Sequence, residues 1–413
     1  MLLNNEAIDF SLITASGYFL SEEEINNKYQ EGEMRIITET GRYPLQNIVA
    51  ILSKNIEFEP HYQRRRVWTP VQKSRLIESF IMNVPIPPVF LYEVDFSKYE
   101  VMDGLQRLST LYEFYSNKFA LTGLEIWPEL NGMKYSDLPA KVRSGIDRRY
   151  ISTIVILKET AKTPEEEQIL KKFVFERLNT GGTKLTDQET RNALYDGRMN
   201  RLCIRIAQEC KVFHKLWRIK PYKQEAILTE IENSESEEDI ENVEQLNTYV
   251  RMEDVELVLR YFAYRQLNEN PASKVKAILD LYLQKANDFD EILLSNLEKT
   301  FYSVLGLADK IFGVQAFSMY TKKKKSGKYS WNTNPSKLVY DPMLMALSGY
   351  IDDEMKKKIL IENKDDIKKR MEAMFVEESD SFNGRNSGKN DVLRRKIMYQ
   401  ELFDAVIQEH VNG

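Results

Sequence analysis

Two cysteines and three histidines among 413 residues leave little material for thiol or metal chemistry. Cys203 and Cys210 stand seven apart in a helical pattern, about 10 Å along the axis at ~1.5 Å per residue. That is beyond disulfide reach, so the pattern predicts two buried thiols on one helix face in a reducing compartment. The same scarcity excludes zinc sites of the CxxC type. No GxxxxGK[ST] run is present, which excludes a Walker-type phosphate loop. No stretch approaches the roughly 20 apolar residues of a membrane helix, and the start, MLLNNEAIDF, lacks the basic-then-apolar layout of a signal peptide. These absences predict a cytoplasmic protein with no membrane partner.

What is present is the composition of a globular chain, 42% hydrophobic and 29% charged, long enough for two domains. Its net charge of −5 repels polyanions, so contact with nucleic acid requires a local basic patch. Residues 1–33 read as a lead-in, with order expected from near Met34. Residues 34–200 alternate short strands and helices, which predicts an α+β domain: strands at 35–38, 56–59, 89–92, 99–102 and 151–157, helices at 44–53, 71–82, 105–115, 164–178 and 186–195. Pro87 and Pro88 stop any helix before the apolar run at 89–92. Thr186 and Glu189 form a capping-box pattern at the last helix. Residues 201–250 read as a helix and a linker, whose 230–244 stretch carries eight acids and no base. Residues 251–413 read as a mostly α-helical domain interrupted by a basic loop at 321–334.

Three segments of the first domain could carry chemistry. In VMDGLQRLST a strand ends at Gly104 and opens a helix, whose free amides and dipole suit a phosphate. Arg107 adds a planar fork of donors, and Asp103 can cap the helix, hold Mg²⁺ or position a water. The bland alternative is a well-capped helix with a surface arginine. The run Gln63-Arg64-Arg65-Arg66 before Trp68 repels itself unless an anion lies near or all three arginines are solvated. In ERLNTGGTKLTDQETRNA, the turn Asn179-Thr180-Gly181-Gly182 and then Gln188, Arg191 and Asn192 either line a pocket or merely join two helices. A fourth segment lies in the helical domain. There Lys322, Lys323, Lys324, Lys325 and Lys328, with Tyr320, Tyr329 and Trp331 nearby, suit a nucleic-acid backbone and exposed bases or form a solvated loop.

Taken together, YQRRRVW, LIESFIMNVPIPPVFLYEV, YEVMDGLQRLSTL and FERLNTGGTKLTDQETRNA resemble the ParB/sulfiredoxin-like N-terminal domain of GmrSD-type modification-dependent restriction endonucleases, over roughly residues 37–197. The resemblance implies a domain that binds and often hydrolyses NTP, with Mg²⁺, in defence against phage. The family's Gln-Arg element falls on Gln63 and Arg64, and its Asp-Gly-Gln-Gln-Arg signature on Asp103, Gly104, Leu105, Gln106 and Arg107. Leu105 departs from it, which removes one polar group of the signature and any sulfiredoxin-type thiol chemistry. Many relatives carry an HNH nuclease downstream. The scattered His61, His214 and His410 match no such motif, so the chain is expected to lack that nuclease.

Two functions follow from the resemblance. In one, Asp103, Gln106 and Arg107 serve NTP hydrolysis, while Gln63, Arg64, Gly104, Asn179 to Gly182, Gln188, Arg191 and Asn192 bind the nucleotide. In the other, the domain is a non-hydrolytic sensor of nucleotide or DNA that recruits a separately encoded effector.

Overall fold

A computed structural model describes residues 2–10, 26, 36–56, 68–161, 163–178, 186–219, 248–249, 251–323, 327–384 and 388–411. The chain divides into two compact units, Ala15–Leu194 and a second made of Met1–Thr14 with Tyr195–Gly413.

The first unit is built on a four-stranded sheet, β1 Thr38–Pro44, β2 Val89–Asp95, β3 Lys98–Asp103 and β4 Tyr150–Ile156, in the order β1-β4-β2-β3. β2 and β4 are central and parallel, and both outer pairings are antiparallel. The apolar runs of β2 and β4 fit strands covered on both faces. On one face Val89, Leu91, Val101, Ile151 and Val155 pack with residues of helices α1 Ile48–Asn55, α2 Pro70–Met82, α3 Leu105–Tyr115 and α4 Ala140–Asp147. On the other, Tyr92, Met102 and Ile156 meet Leu170, Val174 and Phe175 of α5 Pro164–Leu178. A last helix, α6 Asp187–Leu194, closes this unit.

The expected strand at 35–38 lies instead at Thr38–Pro44, and the helix behind it starts at Ile48 rather than residue 44. TETGRYP hides a strand because it is an exposed edge with no buried stripe to alternate. Of the strand expected at 56–59, only Ile56 is described, bridging to Tyr99, and the rest lies outside the described residues.

α2 shows how local chemistry sets an element. Thr69 and Gln72 cap it reciprocally, with Gln72 N–H to Thr69 Oγ1 at 3.2 Å and Thr69 N–H to Gln72 Oε1 at 3.0 Å. Pro70 opens the first turn, and Asn83 ends the helix in the left-handed region at φ 60°. Buried Glu78 leaves this helix to accept the amides of Ile126 and Trp127 at 2.8 and 2.9 Å, tying down the loop excursion. Glu78→Ala leaves both amides without that acceptor and should destabilise this unit by about 1–3 kcal/mol, read as a fall in the urea midpoint. A change within a few tenths would show that water replaces the carboxylate.

Among the described residues the second unit is helical apart from one hairpin. It contains α7 Arg198–Glu209, α8 Lys211–Trp217, α9 Glu253–Tyr264, α10 Val275–Ala286 and α11 Glu291–Phe312. The hairpin β5 Tyr320–Lys322 and β6 Tyr329–Trp331 follows, then α12 Lys337–Leu347, α13 Glu354–Glu362, α14 Lys364–Glu377 and α15 Lys389–Val411. The helix expected at the start of 201–250 is present as α7 and α8, which belong to this unit, and the acidic 230–244 stretch lies outside the described residues. Residues 2–10, expected as lead-in, also belong here. Glu6 is fully buried, and its carboxylate accepts from Arg265 Nε and Nη2 at 2.5 and 2.7 Å and from the Leu3 amide at 2.7 Å. A buried charge persists only when paired in this way. The sequence shows no periodicity there, because this ion pair and the bonds of Gln266 to Ile8 N–H and Glu6 O, rather than an apolar stripe, secure the segment. Among the described residues no helix is long and apolar enough to cross a membrane.

Cys203 lies within α7 and Cys210 ends it, both buried as free thiols. Burial pushes both thiols up from their ordinary range, which suppresses the reactive thiolate.

Candidate functional site

The turn from β3 into α3 holds the signature residues. Gly104 adopts φ 97°, and the helix's own bonding starts with Leu108 N–H to Gly104 O at 3.0 Å. The amides of Leu105, Gln106 and Arg107 therefore have no partner within the helix. Arg107 folds back over the turn, giving Nη2 to Asp103 Oδ2 at 2.5 Å and Nη1 to Pro87 O at 2.9 Å. Its side chain keeps 12% exposure and that of Asp103 40%, so the arginine is held and the carboxylate remains open to solvent. Pro87 thus does more than halt a helix: its carbonyl fixes one arm of Arg107. The sequence carries no signal for that role beyond the Pro-Pro pair itself.

Gln106 faces another way, its Oε1 accepting the Trp68 amide at 3.1 Å. Trp68 lies half-buried against the core and is two residues past Arg66. This bond ties the Trp68 backbone to the first turn of α3. Gln63 and Arg64 themselves lie outside the described residues. Leu105, where the family signature is polar, packs half-buried on the same core. Full burial of a leucine stabilises by about 1.5–3 kcal/mol, and Leu105 contributes part of that, so the substitution supports the fold.

Gly104 is required twice over. An added Cβ would lie 2.8 Å from Val89 Cγ2 and 2.9 Å from Arg107 Nη2, at a φ that side chains rarely adopt. Gly132 has a similar φ of +86° but nothing within 4 Å, and so provides the control. Gly104→Ala should destabilise by about 1–3 kcal/mol, clearly more than Gly132→Ala, in parallel urea melts. Equal effects would mean that φ alone matters and that Arg107 is not tightly placed.

α6 carries the third group. Its capping box is formed as the sequence predicts, Thr186 N–H to Glu189 Oε2 at 2.6 Å and Glu189 N–H to Thr186 Oγ1 at 3.1 Å. Gln188, Glu189, Arg191 and Asn192 are each 1% exposed. Gln188 gives Nε2 to Asn192 Oδ1 at 2.9 Å and receives Arg191 Nη1 on its Oε1 at 3.1 Å. So much buried polarity on one short helix is more than a helix-turn-helix needs, since each group must be satisfied to be tolerated. The preceding Asn179, Thr180, Gly181 and Gly182 lie outside the described residues. Asp103, Gly104, Gln106 and Arg107 are thus brought together at one turn and Gln188, Arg191 and Asn192 on one helix. No hydrogen bond joins the two groups among the described residues. Nor do the described residues contain a group of three or more His, Cys, Asp or Glu placed to hold a metal.

Residues 48–195 match the family model GmrSD_N, described as GmrSD restriction endonuclease, N-terminal domain. The GmrSD_N segment spans α1 to the end of α6 and contains both groups of residues. It covers the segment whose motifs carry the resemblance, apart from its first strand. No curated protein and no solved structure matches the chain.

In the helical unit the basic segment is a hairpin rather than a loop, Tyr320 pairing with Trp331 and Lys322 with Tyr329. Alternation in short strands of this kind is too brief to read from sequence. Lys322 and Lys328 are exposed. Lys323 is turned aside, its Nζ donating to Asn332 Oδ1 at 2.8 Å, and Lys324 and Lys325 lie outside the described residues.

Proposed function

We propose that the GmrSD_N segment is the nucleotide-binding module of a restriction-type defence protein, with a ParB/sulfiredoxin-like fold, and that it hydrolyses a nucleoside triphosphate with Mg²⁺. The observation that carries this reading is Arg107 held at the mouth of an open helix N-terminus, between Asp103 and Pro87 O. In the bound state the amides of Leu105, Gln106 and Arg107 receive phosphate oxygens, and the Arg107 fork turns from Asp103 to the anion. Asp103, released, orients the attacking water. Gln63 and Arg64, which the resemblance assigns to the nucleotide, would add further donors and, at Arg64, positive charge to the phosphates. Gln188, Arg191 and Asn192, buried and bonded to one another on α6, would support the nucleotide site from within the fold.

The donor set fits Mg²⁺, because that ion needs only one or two carboxylates beside phosphate oxygens and water, and Asp103 is a half-exposed carboxylate. Bound there, Mg²⁺ would neutralise charge on the transferring phosphoryl group.

One observation favours a second reading. Asp103 is engaged by Arg107, which describes a closed resting turn, so the module could act as a switch that opens on nucleotide and recruits a separate effector without turnover. Calorimetric titration of the full chain with ATP, GTP and CTP, beside phosphate release, separates the two. Binding with slow turnover supports hydrolysis, and tight binding without turnover supports the switch. Absence of binding by all three would remove both.

A further inference from the structure

The lysine-rich hairpin of the helical unit stands apart from the nucleotide reading and does not depend on it. β5 and β6 place Tyr320, Lys322, Tyr329 and Trp331 on one face, the three rings half-buried and Lys322 exposed, since Tyr320 opposes Trp331, Lys322 opposes Tyr329, and side chains alternate along each strand. The three rings form a ladder. Trp331 lies 5.4 Å from Tyr320, which stacks at 5.8 Å and 25° on Tyr329. The ladder is anchored at its Trp331 end, where Nε1 donates to Glu372 Oε1 at 2.8 Å and the ring meets Phe375 edge-on at 6.0 Å. Its other end is Tyr329, beyond which no ring follows among the described residues.

Charge is concentrated at that end. Lys322 is the direct cross-strand partner of Tyr329, and Lys328 precedes it, both exposed. At the base of the turn, Lys323 N–H donates to Lys328 O and Gly327 N–H to Lys323 O, both 2.9 Å, which fixes the strand ends that carry Lys322 and Lys328. A chain of net charge −5 that gathers lysines here has a local positive field against its overall sign.

We propose that this hairpin binds single-stranded nucleic acid, with a base stacking on the half-buried Tyr329 ring and the flanking phosphates on Lys322 and Lys328. A single strand is the occupant because a base must leave its duplex partner to stack on the ring, whereas the lysines alone would serve either form. Two lysines and one ring make a modest, salt-sensitive site.

The test is fluorescence-anisotropy titration of the full chain with a labelled 30-nucleotide mixed-sequence DNA strand and its duplex, from 50 to 200 mM salt. Replacing both Lys322→Gln and Lys328→Gln should reduce the log–log salt slope by about 1.4 and weaken single-strand binding roughly 20-fold near 0.1 M salt. Tyr329→Ala should weaken it at least about 5-fold, and Tyr329→Phe, which keeps the ring, should restore it. The phenylalanine rescue separates lost stacking from a collapsed hairpin. Unchanged slope and affinity in the glutamine variant, preference for the duplex, or competition by polyglutamate equal to that by the oligonucleotide would each overturn the proposal.

Discussion

Replacing Asp341 by alanine is expected to cost the helical unit about 3–5 kcal/mol of stability. Asp341 on α12 is 4% exposed and Arg260 on α9 is 7% exposed. Arg260 Nε donates to both carboxylate oxygens at 3.1 and 3.2 Å, and Nη2 donates to Oδ2. Burial acts to lower the guanidinium's affinity for its proton, but the charge and bonds of Asp341 outweigh it and hold the group above its usual range. Arginine does not discharge when its partner is removed. The variant therefore keeps a buried cation whose nearest remaining carboxylate is Glu256, at 3.7 Å from Nη1. Hydrogen exchange across Glu253–Tyr264, with urea denaturation, reads the loss. Pairing Asp341→Leu with Arg260→Met should recover most of it, because removing both charges abolishes the desolvation cost together with the bond. A single-variant loss below about 1 kcal/mol would mean that Glu256 takes over the cation.

Legibility of the fold followed burial. β2 and β4 carry runs such as VFLY and ISTIVI that can belong only to covered strands, and α3 carries Leu108, Leu111 and Phe114 at helical spacing, all fully buried. β1 was displaced because an exposed edge strand leaves no alternation. The site was legible in one part and hidden in another. Gly104 and Arg107 announce a turn and an anion-matching fork from spacing alone. That Arg107 would be clasped by Asp103 and the Pro87 carbonyl is a tertiary fact, since residue 87 approaches only through the pairing of β2 with β3. Thr110 is polar by type, yet it is fully buried because its hydroxyl bonds back to Gln106 O at 2.8 Å. Residue type could not reveal this, as a threonine in a helix can turn its hydroxyl onto the preceding turn and so pass as apolar. The N-terminal segment escaped for a related reason, as the pairing of Glu6 with Arg265 joins residues 259 positions apart.

The clasp on Arg107 makes a prediction with opposite signs at its two ends. Arg107→Ala removes the charged fork and should weaken nucleotide binding about 10- to 100-fold, the range of one or two charge-assisted bonds of ~1.5–3 kcal/mol. Asp103→Ala removes the carboxylate that competes with phosphate for that fork at 2.5 Å. Nucleotide binding should therefore persist or tighten, while phosphate release falls about 100-fold or more, the usual contribution of a positioned acid–base group. Asp103→Asn sharpens the contrast: the amide can still accept a bond from Arg107 but carries no charge, so binding should fall between the parent and the alanine variant with turnover equally lost. A role confined to capping or packing predicts that all three variants weaken binding in step with their loss of stability. The discriminating quantity is thus the sign of the Asp103→Ala change in affinity, read by calorimetry with NTP in the absence of Mg²⁺, where any metal contact of Asp103 does not enter. Looser binding there would leave Asp103 as a structural partner of Arg107, and tighter binding with lost turnover would make the pair the gate through which the phosphate enters.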